Sequence, residues 1–112
     1  MDEITEVGDF RPIAQSQDVP NDFVVPFYVA DRKLRVSIAR VNGLPYAFGD
    51  LCTCTDQACP LSGGLLEASI IMCQCHGSRF DITNGAVVSG PATIDLTVYE
   101  LREQAGKIQI RL

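Results

Sequence analysis

The chain has 112 residues, of which 46% are hydrophobic and 21% are charged, and its formal net charge is −5 at pH 7. This length and composition predict a single globular domain, residues 1–112, that can bury a core. The acidic balance argues against a nucleic-acid-binding protein, which needs a basic surface. No apolar run approaches the roughly 18 residues of a membrane span, and the acidic start MDEITEVGDF lacks the features of a signal peptide. We therefore expect a cytoplasmic protein, and separately we expect a monomer.

Both ends of the chain predict β-structure. The segment FVVPFYVADRKL (23–34) is typical of a strand, and Pro26 favours an edge strand or a bulge. Two apolar runs then flank Asn42 and Gly43, which is a strong signal for a hairpin. The last segment, residues 94–112, alternates between apolar and polar side chains on both sides of a turn. Because no segment of about 11 residues has a helical period, the sequence predicts an all-β fold.

The middle of the chain, about residues 50–92, has a different composition. It is rich in Gly, Ser, Thr, Cys and Pro, and it contains all five cysteines and the only histidine. We interpret it as a small subdomain inserted into a β base formed by about residues 1–49 and 93–112. Two of its loops, CTCTDQACPLSGG (52–64) and CQCHGS (73–78), would face each other at the tip.

The density of cysteines predicts a metal or redox site, because a cytosolic protein is not expected to be a disulfide scaffold. Thiolate and imidazole groups are ligands of zinc and of iron–sulfur clusters. A zinc site would use two ligands from Cys52 or Cys54 and two from the second loop, Cys73, Cys75 or His76. Zinc knuckles do not require glycine-rich flanks, however, and both loops here have them.

Those flanks resemble the Rieske family. The second loop CQCHGSRFD, followed by GPA at 90–92, is similar to the family signature C-x-x-H-G-S-x-F-D with its proline loop. The first loop is similar to the family pattern C-T-H-x-x-C, beginning at Cys54, with Asp56 at the histidine position. Sixteen residues separate Asp56 from Cys73, within the family's range. The resemblance covers about residues 4–112 and implies a Rieske-type antiparallel β sandwich.

The resemblance also implies roles for individual residues. Cys54 and Cys73 would bind one iron of a 2Fe–2S cluster, and His76 would bind the other iron. Cys59 and Cys75 would form a disulfide between the loops. The cluster's surroundings would include four more positions: Gly77, Ser78, whose hydroxyl would bond a bridging sulfide, and the covering loop residues Gly90 and Pro91.

The fourth ligand stays open between two residues. An Asp56 carboxylate has a reach comparable to that of histidine, and ferric iron accepts a hard oxygen ligand. Cys52 would supply a thiolate, the more common cluster ligand, but only if the loop shifted by two residues. A third possibility is that neither residue binds, and the site is empty or holds zinc. Either anionic ligand would make reduction harder than in Rieske centres, whose potentials run from about −150 to +300 mV.

The sequence therefore predicts an electron-transfer protein rather than an enzyme. By resemblance, it would carry one electron from a flavoprotein reductase to an oxygenase or a similar acceptor. The alternatives are a degenerate Rieske domain that acts as a redox-sensing or interaction module, and a small zinc-binding β domain. Residues 41–78 contain no Lys or Arg but include Asp50, Asp56 and Glu67, which would suit a basic partner or would simply form a solvated acidic region.

Overall fold

The computed structural model describes residues 10–53 and 59–112, and these ranges contain β-strands and short 3-10 turns but no α-helix. The all-β prediction is confirmed. Within the described ranges, no helix is long and apolar enough to span a bilayer. The strands are β1 (Phe10–Gln15), β2 (Val24–Val29), β3 (Leu34–Val41), β4 (Leu44–Gly49), β5 (Leu65–Glu67), β6 (Ile70–Met72), β7 (Arg79–Asp81), β8 (Val87–Ser89), β9 (Val98–Tyr99), β10 (Leu101–Gln104) and β11 (Lys107–Arg111).

Two antiparallel sheets form the base, with strand orders β2-β3-β4-β9 and β1-β11-β10. The predicted hairpin joins β3 to β4, and its turn residues Asn42 and Gly43 have φ values of +53° and +82°. Such left-handed backbone conformations match the twist of paired strands, which is why Asn-Gly favours this turn. Pro26 lies on β2, an edge strand, as its missing N–H predicts.

The first strand, β1, was not predicted from the sequence. Its six residues, FRPIAQ, include Pro12, and its pairing with β11 shifts register between Pro12 and Ala14. A proline and a bulge together interrupt the alternation of apolar and polar side chains on which strand prediction depends. The strand forms because β11 offers a partner distant in the sequence.

Strand β3 is the centre of the packing because both of its faces are covered. Val36 and Ile38 belong to the apolar cluster of the base, together with Ile108 and Ile110 of β11. Ala39, one residue further along β3, belongs instead to the apolar cluster that contains the cysteines. Successive side chains of a strand point to opposite faces, so β3 connects the base to the cysteine region.

A third sheet, with strand order β5-β6-β7-β8, occupies residues 65–89. Its members Ile71 and Phe80 are 0% exposed and pack into the cluster that contains Cys52 and Cys73. The three-residue strands are too short to have revealed a period in the sequence. This sheet lies within the range predicted for the inserted subdomain, whose boundaries remain a prediction.

Candidate metal centre

The second cysteine loop, residues 73–78, connects β6 to β7 and is closed by its own backbone. The N–H of Cys73 donates to the carbonyl of Ser78 at 2.8 Å, and the N–H of Gly77 donates to the carbonyl of Cys73 at 3.0 Å. Gly77 has a φ of +79°, and an added Cβ would meet nothing within 4 Å. Glycine is therefore favoured here by the backbone conformation and not by a lack of space.

This turn separates the two predicted ligands of the loop. Cys73 is 1% exposed and belongs to the apolar cluster, whereas His76 is exposed to solvent. A thiolate donor inside the protein and an imidazole donor at its surface would suit a centre with one buried and one outward side.

The structure joins Cys59 and Cys75 in a disulfide, with Cα atoms 6.3 Å apart and a sequence separation of 16. The Sγ atoms of Cys59, Cys73 and Cys75 lie within 4.8 Å of one another. Because two of these sulfurs are in the disulfide, they are not thiolates. Cys59, Cys73 and Cys75 therefore do not form a three-thiolate zinc site.

The first loop is described only at its two ends, because the predicted ligands Cys54 and Asp56 lie outside the described residues. Leu51 and Pro60 form an isolated antiparallel bridge across the loop. Beside that bridge, the N–H of Cys52 donates to the carbonyl of Cys59 at 2.9 Å. The two described ends of the first loop therefore lie close together.

The side chain of Cys52 is 0% exposed and lies in the apolar cluster with Phe48 and Leu61. It is not one of the three sulfurs that lie within 4.8 Å of one another in the described part of the chain. A small thiol packs well in such surroundings. The position of Cys52 is that of a core residue.

A third segment, residues 90–94, is hydrogen-bonded to both cysteine loops. The peptide bond between Gly90 and Pro91 is cis, and the N–H of Ala92 donates to the Ser78 hydroxyl oxygen at 3.0 Å. Thr53 donates its hydroxyl to the carbonyl of Ile94. The two cysteine loops are thus each tied to this segment by a side-chain hydrogen bond, and Ser78 itself is 0% exposed.

Asp50, one of the acidic residues that predicted a negative surface around the cysteines, is 0% exposed. Its carboxylate accepts hydrogen bonds from Arg35, from the Ser37 hydroxyl and from the N–H of Ser62. Paired in this way, it adds no net charge to the surface, so the expected acidic surface is weaker than the sequence suggests. In the sequence, the buried pairing of Asp50 is marked only by the position of this acidic residue, directly after β4 and before a cysteine loop.

Comparisons with known proteins agree with this geometry. Residues 9–100 match the family described as the Rieske 2Fe-2S domain. The ferredoxin component of the naphthalene 1,2-dioxygenase/salicylate 5-hydroxylase systems of Ralstonia sp is 30% identical over 95 residues, covering 85% of this chain and 88% of the relative.

Two solved structures are similar along most of the chain. The Sphingomonas yanoikuyae B1 ferredoxin has a TM-score of 0.83 and 25% identity, covering 93% of this chain and 99% of that one. A ferredoxin in a complex of reduced oxygenase and oxidized ferredoxin of carbazole 1,9a-dioxygenase has a TM-score of 0.80 and 25% identity, covering 91% and 92%.

Proposed function

Because this chain belongs to the Rieske 2Fe-2S domain family, we propose that it is the electron-carrying ferredoxin of an oxygenase system. The Ralstonia relative is named as the ferredoxin component of its dioxygenase and hydroxylase systems, and a ferredoxin is an electron carrier. One of the similar structures is a ferredoxin bound to an oxygenase. The electron acceptor of this chain would be an oxygenase, and its donor would be a flavoprotein reductase.

The observation that carries the proposal is the arrangement of the second loop around Ser78. Buried Cys73 and exposed His76 supply the thiolate and the imidazole that the cluster requires. The Ser78 oxygen accepts the Ala92 N–H, and a hydroxyl that accepts can still donate its own proton. The described residues therefore fit a 2Fe–2S cluster, which takes up and releases one electron when bound.

The roles of the side chains follow from these positions. Cys73, with Cys54, would hold the inner iron in the apolar cluster, where water is excluded. His76 would hold the outer iron and form the surface at which the partner approaches. Ser78 would direct its proton toward a sulfide, and Gly77, Gly90 and Pro91 would shape the backbone around it. Loss of such outer contacts typically lowers metal affinity or activity by about 10- to 100-fold.

For the fourth ligand we propose Asp56 rather than Cys52. Cys73 lies in the same apolar cluster, so burial alone does not separate the two cysteines. The Cys52 sulfur, however, is not among the three described sulfurs that lie within 4.8 Å of one another, and the Cys52 N–H is bonded to the carbonyl of Cys59. A shift by two residues would break that bond and remove a packed side chain from the core. A carboxylate in place of a neutral imidazole makes the oxidised cluster anionic, so the potential should lie below the Rieske range of about −150 to +300 mV.

Iron and sulfide analysis tests this function. Protein purified without oxygen should be red-brown and contain about two irons and two acid-labile sulfides per chain, the composition of a 2Fe–2S centre. After chemical reduction, it should pass one electron to an oxygenase component. A colourless protein with stoichiometric zinc and no sulfide would support the zinc-binding alternative instead. A protein with neither metal would support the redox-sensing alternative.

The cytoplasmic location and the monomeric state are also proposals, which cell fractionation and sedimentation would test.

A further inference from the structure

Asp50 is the one charged side chain that is buried among the described residues, and it has no role in the function proposed above. A buried carboxylate is unfavourable unless it is paired and hydrogen-bonded. Here each oxygen accepts twice: Oδ2 from Arg35 Nε and Nη2 at 3.0 and 2.7 Å, and Oδ1 from Ser37 at 2.6 Å and the Ser62 N–H at 2.8 Å. Asp50 therefore has a complete set of partners.

These partners lie on two different parts of the fold. Arg35 and Ser37 are on β3 of the base, whereas Ser62 is in the 3-10 turn Leu61–Gly63 that follows the first cysteine loop. The backbone of Asp50 adds two more bonds in the same directions: its N–H donates to the carbonyl of Arg35, and its carbonyl accepts the N–H of Leu61. Asp50 thus fixes the turn to the base through both side chain and backbone.

Held in this position, the turn 61–64 lies against the residues that flank Cys73 in the second cysteine loop. A Cβ added to Gly64 would lie 2.0 Å from the carbonyl oxygen of Met72, and one added to Gly63 would lie 2.6 Å from the side chain of Gln74. The Met72 carbonyl is backbone, so Gly64 allows the turn to lie directly against the residue before Cys73, whereas the Gln74 amide is the end of an exposed side chain and can move aside. A displacement of the turn would move the backbone that carries Cys73.

We propose that Asp50 is a positioning residue for the metal centre, which acts through the turn 61–64 on the loop that carries Cys73 and His76. This inference rests on the proposed function for its consequence in electron transfer. Its structural basis does not depend on the cluster. An apolar residue of similar size could fill the same space, but it would not orient the Ser62 N–H.

The test uses Asp50→Asn, which keeps the shape but replaces one carboxylate oxygen by an amide donor. Of the four groups that now donate to Asp50, only the Ser37 hydroxyl could accept from that amide, so the Asn side chain loses at least one bond to Arg35 or Ser62. The matched control is Asp31→Asn, since Asp31 also accepts two bonds from an arginine, Arg11, on the base. Arg35→Gln in the Asp50→Asn background provides a rescue, because the glutamine carbonyl can accept from the new amide.

Two readouts separate positioning from general stability. The first is amide hydrogen exchange at Cys73, Gly77 and Ser62, which requires no cluster. We expect faster exchange at these amides in Asp50→Asn, no change in Asp31→Asn, and partial recovery in the double variant. The second is the electron paramagnetic resonance spectrum of the reduced protein and the rate of iron loss to a chelator. Iron loss should be faster in Asp50→Asn, by no more than the roughly 10- to 100-fold by which metal affinity falls when a direct partner of a ligand is removed.

Failure of the proposed function and failure of the positioning role of Asp50 give different results. If the parent protein contains no iron and sulfide, the proposed function fails, and the exchange data still decide the role of Asp50. If exchange at Cys73 and Gly77 in Asp50→Asn equals that in Asp31→Asn, the positioning role is overturned, whatever the parent contains. Faster exchange with an unchanged resonance spectrum and unchanged iron loss would also overturn it as a property of the metal centre.

Discussion

The backbone N–H of Ala92 donates to the side-chain oxygen of Ser78 at 3.0 Å, and both residues are almost completely buried. This single bond joins the loop that carries Cys73 and His76 to the segment around Pro91. It gives the serine a fixed orientation in which its own proton remains to be donated.

Ser78→Ala should therefore lower both stability and reduction potential. The Ala92 N–H would lose its partner while buried, which costs about 1–3 kcal/mol. Loss of a hydroxyl donor near the cluster should also disfavour the more negative, reduced form. Denaturant unfolding and a redox titration measure the two effects. Ser89→Ala is the control, because the buried Ser89 hydroxyl has no hydrogen-bond partner among the described residues. Equal potentials in Ser78→Ala and the parent would remove the serine from the proposed site.

Substitutions at Cys52 and Asp56 should distinguish the two candidates for the fourth ligand. Cys52→Ala removes a buried core side chain and should cost about 1–2 kcal/mol of stability while leaving the visible spectrum unchanged. Asp56→Asn should bleach or strongly shift that spectrum, and Asp56→His should raise the reduction potential by restoring a neutral ligand. If Cys52→Ser alone bleaches the protein, the assignment to Asp56 is wrong. If neither position affects the spectrum, another group must supply the ligand.

Removal of the disulfide should weaken the protein as a whole. Replacing both Cys59 and Cys75 by serine opens a link between positions 16 residues apart, which corresponds to about 3 kcal/mol in the loop-entropy description. Denaturant unfolding with and without reductant measures this difference. The double variant should not respond to the reductant, whereas the parent should. Alkylation of both thiols in the folded parent, followed by mass spectrometry, would show that the bond is not formed.

The pair between Arg40 and Glu103 should make stability depend on pH on the acidic side. The hydrogen bonds from Arg40 hold the pKa of the Glu103 carboxyl below its ordinary value. A lowered folded-state pKa means that the carboxylate adds stability above its unfolded pKa, about 4.3, and that this contribution disappears as the pH falls through the folded value.

We expect Glu103→Gln to lose about 1 kcal/mol at neutral pH and to converge with the parent in acid. Unfolding curves between neutral pH and pH 3 measure this. Glu100→Gln is the control, because the Glu100 side chain is 66% exposed beside Arg111 and should contribute less. A loss in Glu103→Gln that stays constant at all pH values would indicate lost packing instead of lost charge.

The sequence by itself determined the fold class and predicted one loop of the candidate site. The two apolar runs around Asn42 and Gly43 and the alternation along β11 are local signals, which depend only on residues close together in the chain. The loop from Cys73 to Ser78 was also readable, because its residue types and spacing are confined to a few adjacent positions. The same locality explains the two misses, the bulged strand β1 and the three-residue strands of the third sheet, since neither has enough alternating positions to show a period.

Only the tertiary structure decided which side chains face the core and which groups hold the loops together. In the sequence, Cys52 is one more possible thiolate and Asp50 is one more acidic loop residue. The fold places Cys52 in the apolar cluster and gives Asp50 partners on β3 and on the turn 61–64. Burial and hydrogen bonding depend on strands that are distant in the chain. A carboxylate can be a solvated charge or a buried anchor, and only the groups brought against it by folding decide which one it is.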